Sequence, residues 1–154
     1  MRSNLSMQGY GLSDGERRAL WLGLRLPTAL CLGLVVTGLL LGSAVLLAAL
    51  VPIGAVAGWS ARHPFDLVWN HGLRYAFEAP ALPPNPTRRR HAFKLATGWL
   101  ALCSALFALG APVAGLVLGG SLAAVCVLVT ITNFCVPSLA LSLWEKYRRA
   151  EVTV

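Results

Sequence analysis

Residues 95–144 read LATGWLALCSALFALGAPVAGLVLGGSLAAVCVLVTITNFCVPSLALSLW, fifty consecutive positions without Asp, Glu, Lys, Arg or His. One straight helix of that length would measure about 75 Å, against about 30 Å of hydrocarbon in a bilayer. The stretch must therefore fold back on itself, and Gly110-Ala111-Pro112 is where a helix is punctuated. Residues 26–61 are equally free of charge and are interrupted at Gly42-Ser43. Each stretch thus becomes a hairpin, and the spans expected are 19–41, 44–60, 93–109 and 113–136.

The first span is placed upstream of Leu26 because the charge-free part alone is short for a crossing. Arg25 would then snorkel to the headgroups. Ser13 and Glu16 have capping-box spacing just before it. Pro27 would fall about two turns inside the membrane end and kink the helix, which neighbouring helices tolerate.

Composition points the same way. Hydrophobic residues make up 56% of the 154 and charged residues 12%, about half the share usual in a soluble domain. That excludes a disordered chain, which needs low hydrophobicity and high charge. A signal peptide is excluded as well, because the first apolar stretch far exceeds a core of about 7–15 residues and continues into a second span.

The balance is basic, 13 Lys and Arg against 6 Asp and Glu. Every charge lies in one of three zones, Arg2–Arg25, Arg62–Lys94 and Glu145–Glu151. Four spans put all three zones on one side, and two or three spans would divide them. By the positive-inside rule both termini and the central loop are cytoplasmic, in a multi-pass inner (plasma) membrane protein. The expected fold is all-α: an integral membrane four-helix bundle of two transmembrane hairpins plus a cytoplasmic amphipathic helix. Its parts are a flexible cytoplasmic tail at 1–18, a first hairpin at 19–60, an interfacial helix and Pro-rich linker at 61–92, a second hairpin at 93–144 and a cytoplasmic tail at 145–154.

Within the central loop, His63, Asp66, Asn70, Arg74 and Glu78 recur at helical spacing on one face. Phe65, Val68, Trp69, Tyr75 and Ala76 fall on the other. The pattern predicts a short helix lying on the inner leaflet, with Trp69 and Tyr75 at headgroup depth. Residues 80–86, Pro-Ala-Leu-Pro-Pro-Asn-Pro, form a stiff extended linker. Arg88, Arg89, Arg90 and Lys94 are expected to contact anionic lipid headgroups. A cluster pressed to a membrane does not suit nucleic acid.

The spans carry no ionisable Asp, Glu, Lys, Arg or His, which disfavours proton relays, ion paths and voltage sensing. Gly38/Gly42, Gly54/Gly58 and Gly115/Gly119 are small residues four apart and favour close helix packing, within the bundle or in a homodimer. Cys31, Cys103, Cys126 and Cys135 include no Cys-x-x-Cys pair. The first three are placed near mid-span at one depth, as small apolar side chains. His63 and His71 are eight apart, so they do not share a helical face as metal ligands, and no metal or cofactor is expected.

Cys135 differs. Pro137 frees the carbonyl of Asn133, so the last helix should kink or unwind there. Asn133, Cys135 and Ser138 then gather near the cytoplasmic interface. Cys135 is the candidate catalytic thiol, its thiolate favoured by the basic cluster on the same side. Asn133, Ser138, His63, Asp66, Asn70, His71 and His91 are the candidate binding residues.

His63-Pro-Phe-Asp-Leu67, the Pro-rich linker, the basic restart before the third span and Thr132-Asn-Phe-Cys-Val-Pro-Ser138 together resemble the bacterial membrane family DUF4395, over about residues 20–145. The resemblance implies a small four-span inner-membrane protein with no established activity to carry over. Some relatives carry a second cysteine close to the one in the box, and this sequence does not, which departs from an intramolecular dithiol.

Three functions follow as expectations. The first is a non-catalytic membrane packing or interaction module. The second is a thiol-redox or sulfur-handling protein using Cys135. The third is lipid or quinone binding within the bundle. The expected partners are a bilayer with anionic inner-leaflet lipids, and a second copy of the chain or a membrane or thiol-protein partner.

Overall fold

The computed structural model describes residues 4–152. Residues 1–3 and 153–154, the outer ends of the two expected tails, lie outside the described residues. The described chain is all-helical, with no strand among those residues. Its helices are α1 (Asn4–Met7), α2 (Asp14–Ala19), α3 (Leu26–Leu40), α4 (Ala44–Trp59), α5 (Asp66–Val68), α6 (Arg74–Ala76), α7 (Thr87–Ala108), α8 (Pro112–Thr132) and α9 (Val136–Val152). A π-helical turn, Trp69–Leu73, joins α5 to α6.

Two of these helices, α7 with 22 residues and α8 with 21, are long and apolar enough to cross a membrane. The apolar helices α3 and α4 are shorter, with 15 and 16 residues, or about 22–24 Å at 1.5 Å per residue. The reason for the short α3 is Pro27. It is the second residue of the helix, not a kink two turns inside it. A missing N–H costs nothing in the first turn, so the chain starts its helix there. Residues 20–25 are turns, and α2 upstream is a separate helix opened by the expected capping box: Ser13 Oγ accepts from the Glu16 N–H and Glu16 returns the bond to the Ser13 N–H.

The four apolar helices meet pairwise in a ring, α3 on α4, α4 on α7, α7 on α8 and α8 on α3. Their shared core is Val35, Leu39, Leu47, Leu50, Leu100, Cys103 and Leu122. The tightest seam is α4 against α7. A Cβ on Gly54 would sit 2.5 Å from Thr97 Oγ1, and one on Gly58 would sit 2.7 Å from Lys94 Cγ, so only glycine lets the backbones approach this closely. Gly38, Gly115 and Gly119 likewise face side chains of this same chain. Gly42 has another role: at φ +59° it forms the turn between α3 and α4.

A second core lies outside the ring. Leu5, Tyr10, Leu20, Leu24, Trp69 and Leu82 pack together there, so the segment read as a flexible tail, through Leu5 and Tyr10, is joined to the rest of the chain. The central loop is inverted relative to its expected amphipathic helix. Of the expected polar face, His63, Asp66 and Asn70 are buried, while Val68 and Tyr75 of the expected apolar face are exposed. The cause is hydrogen bonding: each buried polar side chain finds a backbone or side-chain partner, so burial leaves none unsatisfied. Trp69 follows them inward, at 1% exposure. Residues 80–86, the expected linker, contain no helix or strand, and Pro86 is extended.

The last span ends earlier than its expected limit of 136. Asn133 takes the left-handed conformation, φ 53°, and caps α8, which Asn tolerates better than most residues. Pro137 then becomes the second residue of a new helix. Helix α9 packs on α7 and extends through most of the expected C-terminal tail.

Candidate functional site

Asp66 organises the polar cluster beside the ring. Its Oδ2 accepts from the backbone N–H of His63 at 2.7 Å and from Asn85 Nδ2 at 3.3 Å. Asn85 Oδ1 accepts from the Tyr10 hydroxyl at 2.8 Å, and Tyr10 in turn accepts from Arg89 Nη1 at 2.8 Å. Arg89 Nη2 donates to the Leu24 carbonyl at 2.9 Å. Asn70 Oδ1 accepts from the Leu82 N–H, holding the Pro-rich linker against the loop. Four segments far apart in sequence are thereby tied to one another.

The same cluster fixes the tautomer of His63. Its Nδ1 accepts the backbone N–H of Phe65 at 3.1 Å, so the ring proton sits on Nε2. Nε2 lies 3.6 Å from Cys31 Sγ and therefore donates toward the sulfur. In this state His63 cannot take the Cys31 proton, and the pair is not a nucleophile with its base. Burial, with the Arg89 charge adding to it, pulls the His63 pKa down from 6.5 to about 4. Burial raises that of Asp66, against the opposing pull of the His63 N–H, Arg89, Asn85 and Arg62. Burial also raises that of Tyr10, opposed by Arg89.

A pH dependence follows. The unfolded chain protonates its histidine near 6.5, and the folded chain resists until about 4. His63 therefore contributes stability above pH 6.5 that is lost as pH falls toward 4, with about 2 kcal/mol gone between pH 7 and 5. Asp66, shifted the other way, acts in the opposite sense, and Tyr10 acts only in the alkaline range. The melting midpoint in detergent is expected to fall over pH 7 to 5 in the wild type, and the His63→Gln protein should show a flatter profile. Parallel profiles would contradict this assignment.

Beside this cluster, the break after α8 exposes three successive carbonyls, and each is capped by the N-terminal segment. Arg25 Nη2 donates to Ile131 O at 2.9 Å, Asn4 Nδ2 to Thr132 O at 2.7 Å and Gln8 Nε2 to Asn133 O at 2.6 Å. The freed carbonyl of Asn133 is thus present as expected, but it is occupied from within the chain. The orphan groups of a helix end need such partners.

Between α3, α7, α8 and the start of α9 lies a cavity of about 210 Å³. Its wall is almost wholly apolar, formed by Phe93, Ala96, Trp99, Leu122, Val125 and Val129, with Cys126 and Cys135 in it and Gln8 and Arg89 at its polar end. The cysteines are not in one layer. Cys126 and Cys135 line this cavity, and Cys31 lies against His63. Cys103 instead donates to Gly115 O at 3.3 Å within the ring core. All four are free thiols.

The expected site residues therefore divide. Cys135 borders the cavity. Ser138 is fully buried, at 3.5 Å from the Arg88 carbonyl. His63, Asp66 and Asn70 belong to the polar cluster. His71 is exposed and apart, and His91 lies in a groove between α7 and α9 with Lys94. The basic cluster is largely engaged inside the chain: Arg88 pairs with Glu145, Arg89 is 7% exposed in the polar cluster, and Arg90 donates to the Trp59 carbonyl. Among the described residues no group of three or more His, Cys, Asp and Glu is arranged to hold a metal ion.

Tyr10 and Asn85 were not singled out by sequence, and Cys31 was read only as a small apolar side chain near mid-span. Their partners lie 75, 19 and 32 positions away, beyond any local spacing rule. Asn85, the one amide amid the prolines of the linker, was the available signal. Comparison with curated proteins and with solved structures returned no match. The family profile of the domain of unknown function DUF4395 matches residues 22–146, most of the chain and all of the ring, and the protein belongs to that family.

Proposed function

We propose that this is a non-catalytic four-span membrane protein, with both termini and the central loop cytoplasmic, that holds the apolar chain of a membrane amphiphile in the cavity beside α8. The apolar cavity is the observation that carries this reading. An enclosure of about 210 Å³ is below the roughly 300–1,000 Å³ that takes a whole drug-sized molecule, so it suits part of a ligand, such as one tail. Cys126 and Cys135 are its only thiols, and neither has a hydrogen-bonded base among the described residues.

Two further features support the membrane setting. Leu40, Val45, Leu109, Val113 and Val117 are each more than 70% exposed, an apolar surface larger than a water-soluble monomer usually shows. The turns joining α3 to α4 and α7 to α8 contain no charge, and the basic residues collect at the opposite helix ends. The short α3 and α4 fit by local thinning of the bilayer or by the apolar residues flanking them.

The test is native mass spectrometry after gentle detergent extraction. The wild type should retain one amphiphile per chain. Val125→Trp fills the cavity and should lower occupancy about tenfold, the ratio that corresponds to roughly 1.4 kcal/mol. Ala96→Phe, from the facing helix, serves as the second filling variant. Unchanged retention in both folded variants would refute the reading.

A further inference from the structure

We infer that the cavity continues into a headgroup seat for an anionic glycerophospholipid, formed between α7 and α9 by Lys94 and His91. This inference rests on the cavity reading above and adds the chemistry of the head. The groove measures about 500 Å³ and is lined by His91, Lys94, Leu95, Ala140, Leu141 and Trp144, with Pro137. Leu95 and Pro137 also line the apolar cavity, so the groove and the cavity adjoin. The groove adds two basic side chains, Lys94 and His91, to an otherwise apolar lining.

The charges favour an anion. Lys94 holds its ammonium 4.9 Å from the centre of the Trp59 ring, a cation–π contact that leaves N–H donors directed away from the ring. His91 is exposed. Glu145, an acidic residue of the facing helix, is paired with Arg88, so its carboxylate is countered rather than opposed to an incoming phosphate. Trp144, 63% exposed on the groove, has the amphipathic ring that settles at headgroup level. A bilayer phospholipid is the occupant because it supplies an apolar chain for the cavity and an anionic head for the groove at the same time.

The experiment uses the full chain in nanodiscs of equal phosphatidylglycerol and phosphatidylcholine with matched tails. Native mass spectrometry reads which lipid stays bound. The wild type is expected to favour phosphatidylglycerol. Lys94→Gln should reduce that preference about fivefold, the factor for one basic group near a membrane surface, and Lys94→Arg should preserve it. His91→Gln should act in the same direction. His91 is exposed, whereas Lys94 is half-buried with its stem against Gly58, so size-exclusion profiles check folding and Lys94→Arg separates loss of the charge from loss of packing.

If Val125→Trp expels lipid while Lys94→Gln and His91→Gln leave the preference intact, the headgroup seat is wrong and the cavity reading stands. If Val125→Trp and Ala96→Phe expel nothing, the cavity reading itself fails. A dimer that forms only when lipid is stripped would assign the groove to a second copy of the chain and overturn the inference.

Discussion

Replacing Arg89 by alanine is expected to destabilise the protein by about 3–5 kcal/mol, the cost of removing one member of a buried charged cluster. Arg89 is 7% exposed. Its two bonds, to Tyr10 and to the Leu24 carbonyl, join the N-terminal segment and the start of α3 to α7. Its guanidinium also lies 5.5 Å from the Tyr10 ring and 5.6 Å from the Phe93 ring. Without it, the charge of Asp66 has lost its nearest buried counter-charge and the Leu24 carbonyl has lost its donor. The melting midpoint in detergent should drop by on the order of 10 °C. Arg89→Lys should recover only part of this, since one ammonium cannot reproduce the fork that reaches both acceptors. Arg90→Ala, which removes a single bond from a half-exposed side chain, should cost under about 1 kcal/mol. Equal losses at 89 and 90 would show that the buried cluster contributes nothing particular.

Trp69→Ala is expected to cost a similar amount, about 3–5 kcal/mol. Trp69 is 1% exposed and fills the second core. Its ring packs so closely on Gly23 that a Cβ there would lie 2.6 Å away. It stacks on Phe77 with centroids 6.0 Å apart, and its Nε1 donates to the Pro80 carbonyl at 3.2 Å. Truncation leaves a cavity and an unpaired carbonyl together. Trp69→Phe should restore most of the packing and lack only the hydrogen bond, about 1 kcal/mol. Limited proteolysis gives a second readout: the 79–86 linker should be cut faster in Trp69→Ala. A Trp69 at headgroup depth, as the sequence suggested, would instead tolerate alanine with little change in either measurement.

The turns at Gly42 and Gly110, the capping box at Ser13, the helix-free linker and the helix break before Pro137 were all legible in the sequence. Each depends on a local rule: charge-free length, glycine and proline punctuation, or a cap at fixed spacing. The helix limits were less legible, and proline explains the largest difference, at the start of α3. A proline reads as a kink if the helix is assumed to surround it, and as a start if the helix begins there. Pro27 and Pro137 both open helices. The central loop misled for another reason. Helical periodicity separates two faces but does not say which one is covered, and the polar face of residues 63–70 was the covered one.

By itself, the sequence determined an all-helical chain of apolar segments, where those segments turn, and where along the chain the charges collect. Those properties follow from interactions between neighbours in the chain and from glycine and proline punctuation. Only the tertiary structure decided that His63 faces Cys31, that Tyr10 and Asn85 complete the Asp66 cluster, that the N-terminal segment caps α8, and that a cavity lies beside Cys126 and Cys135. Those depend on which surfaces meet across 19 to 128 positions of sequence. A buried polar group takes whatever partner the packing brings within about 3 Å, and local spacing carries no record of that partner.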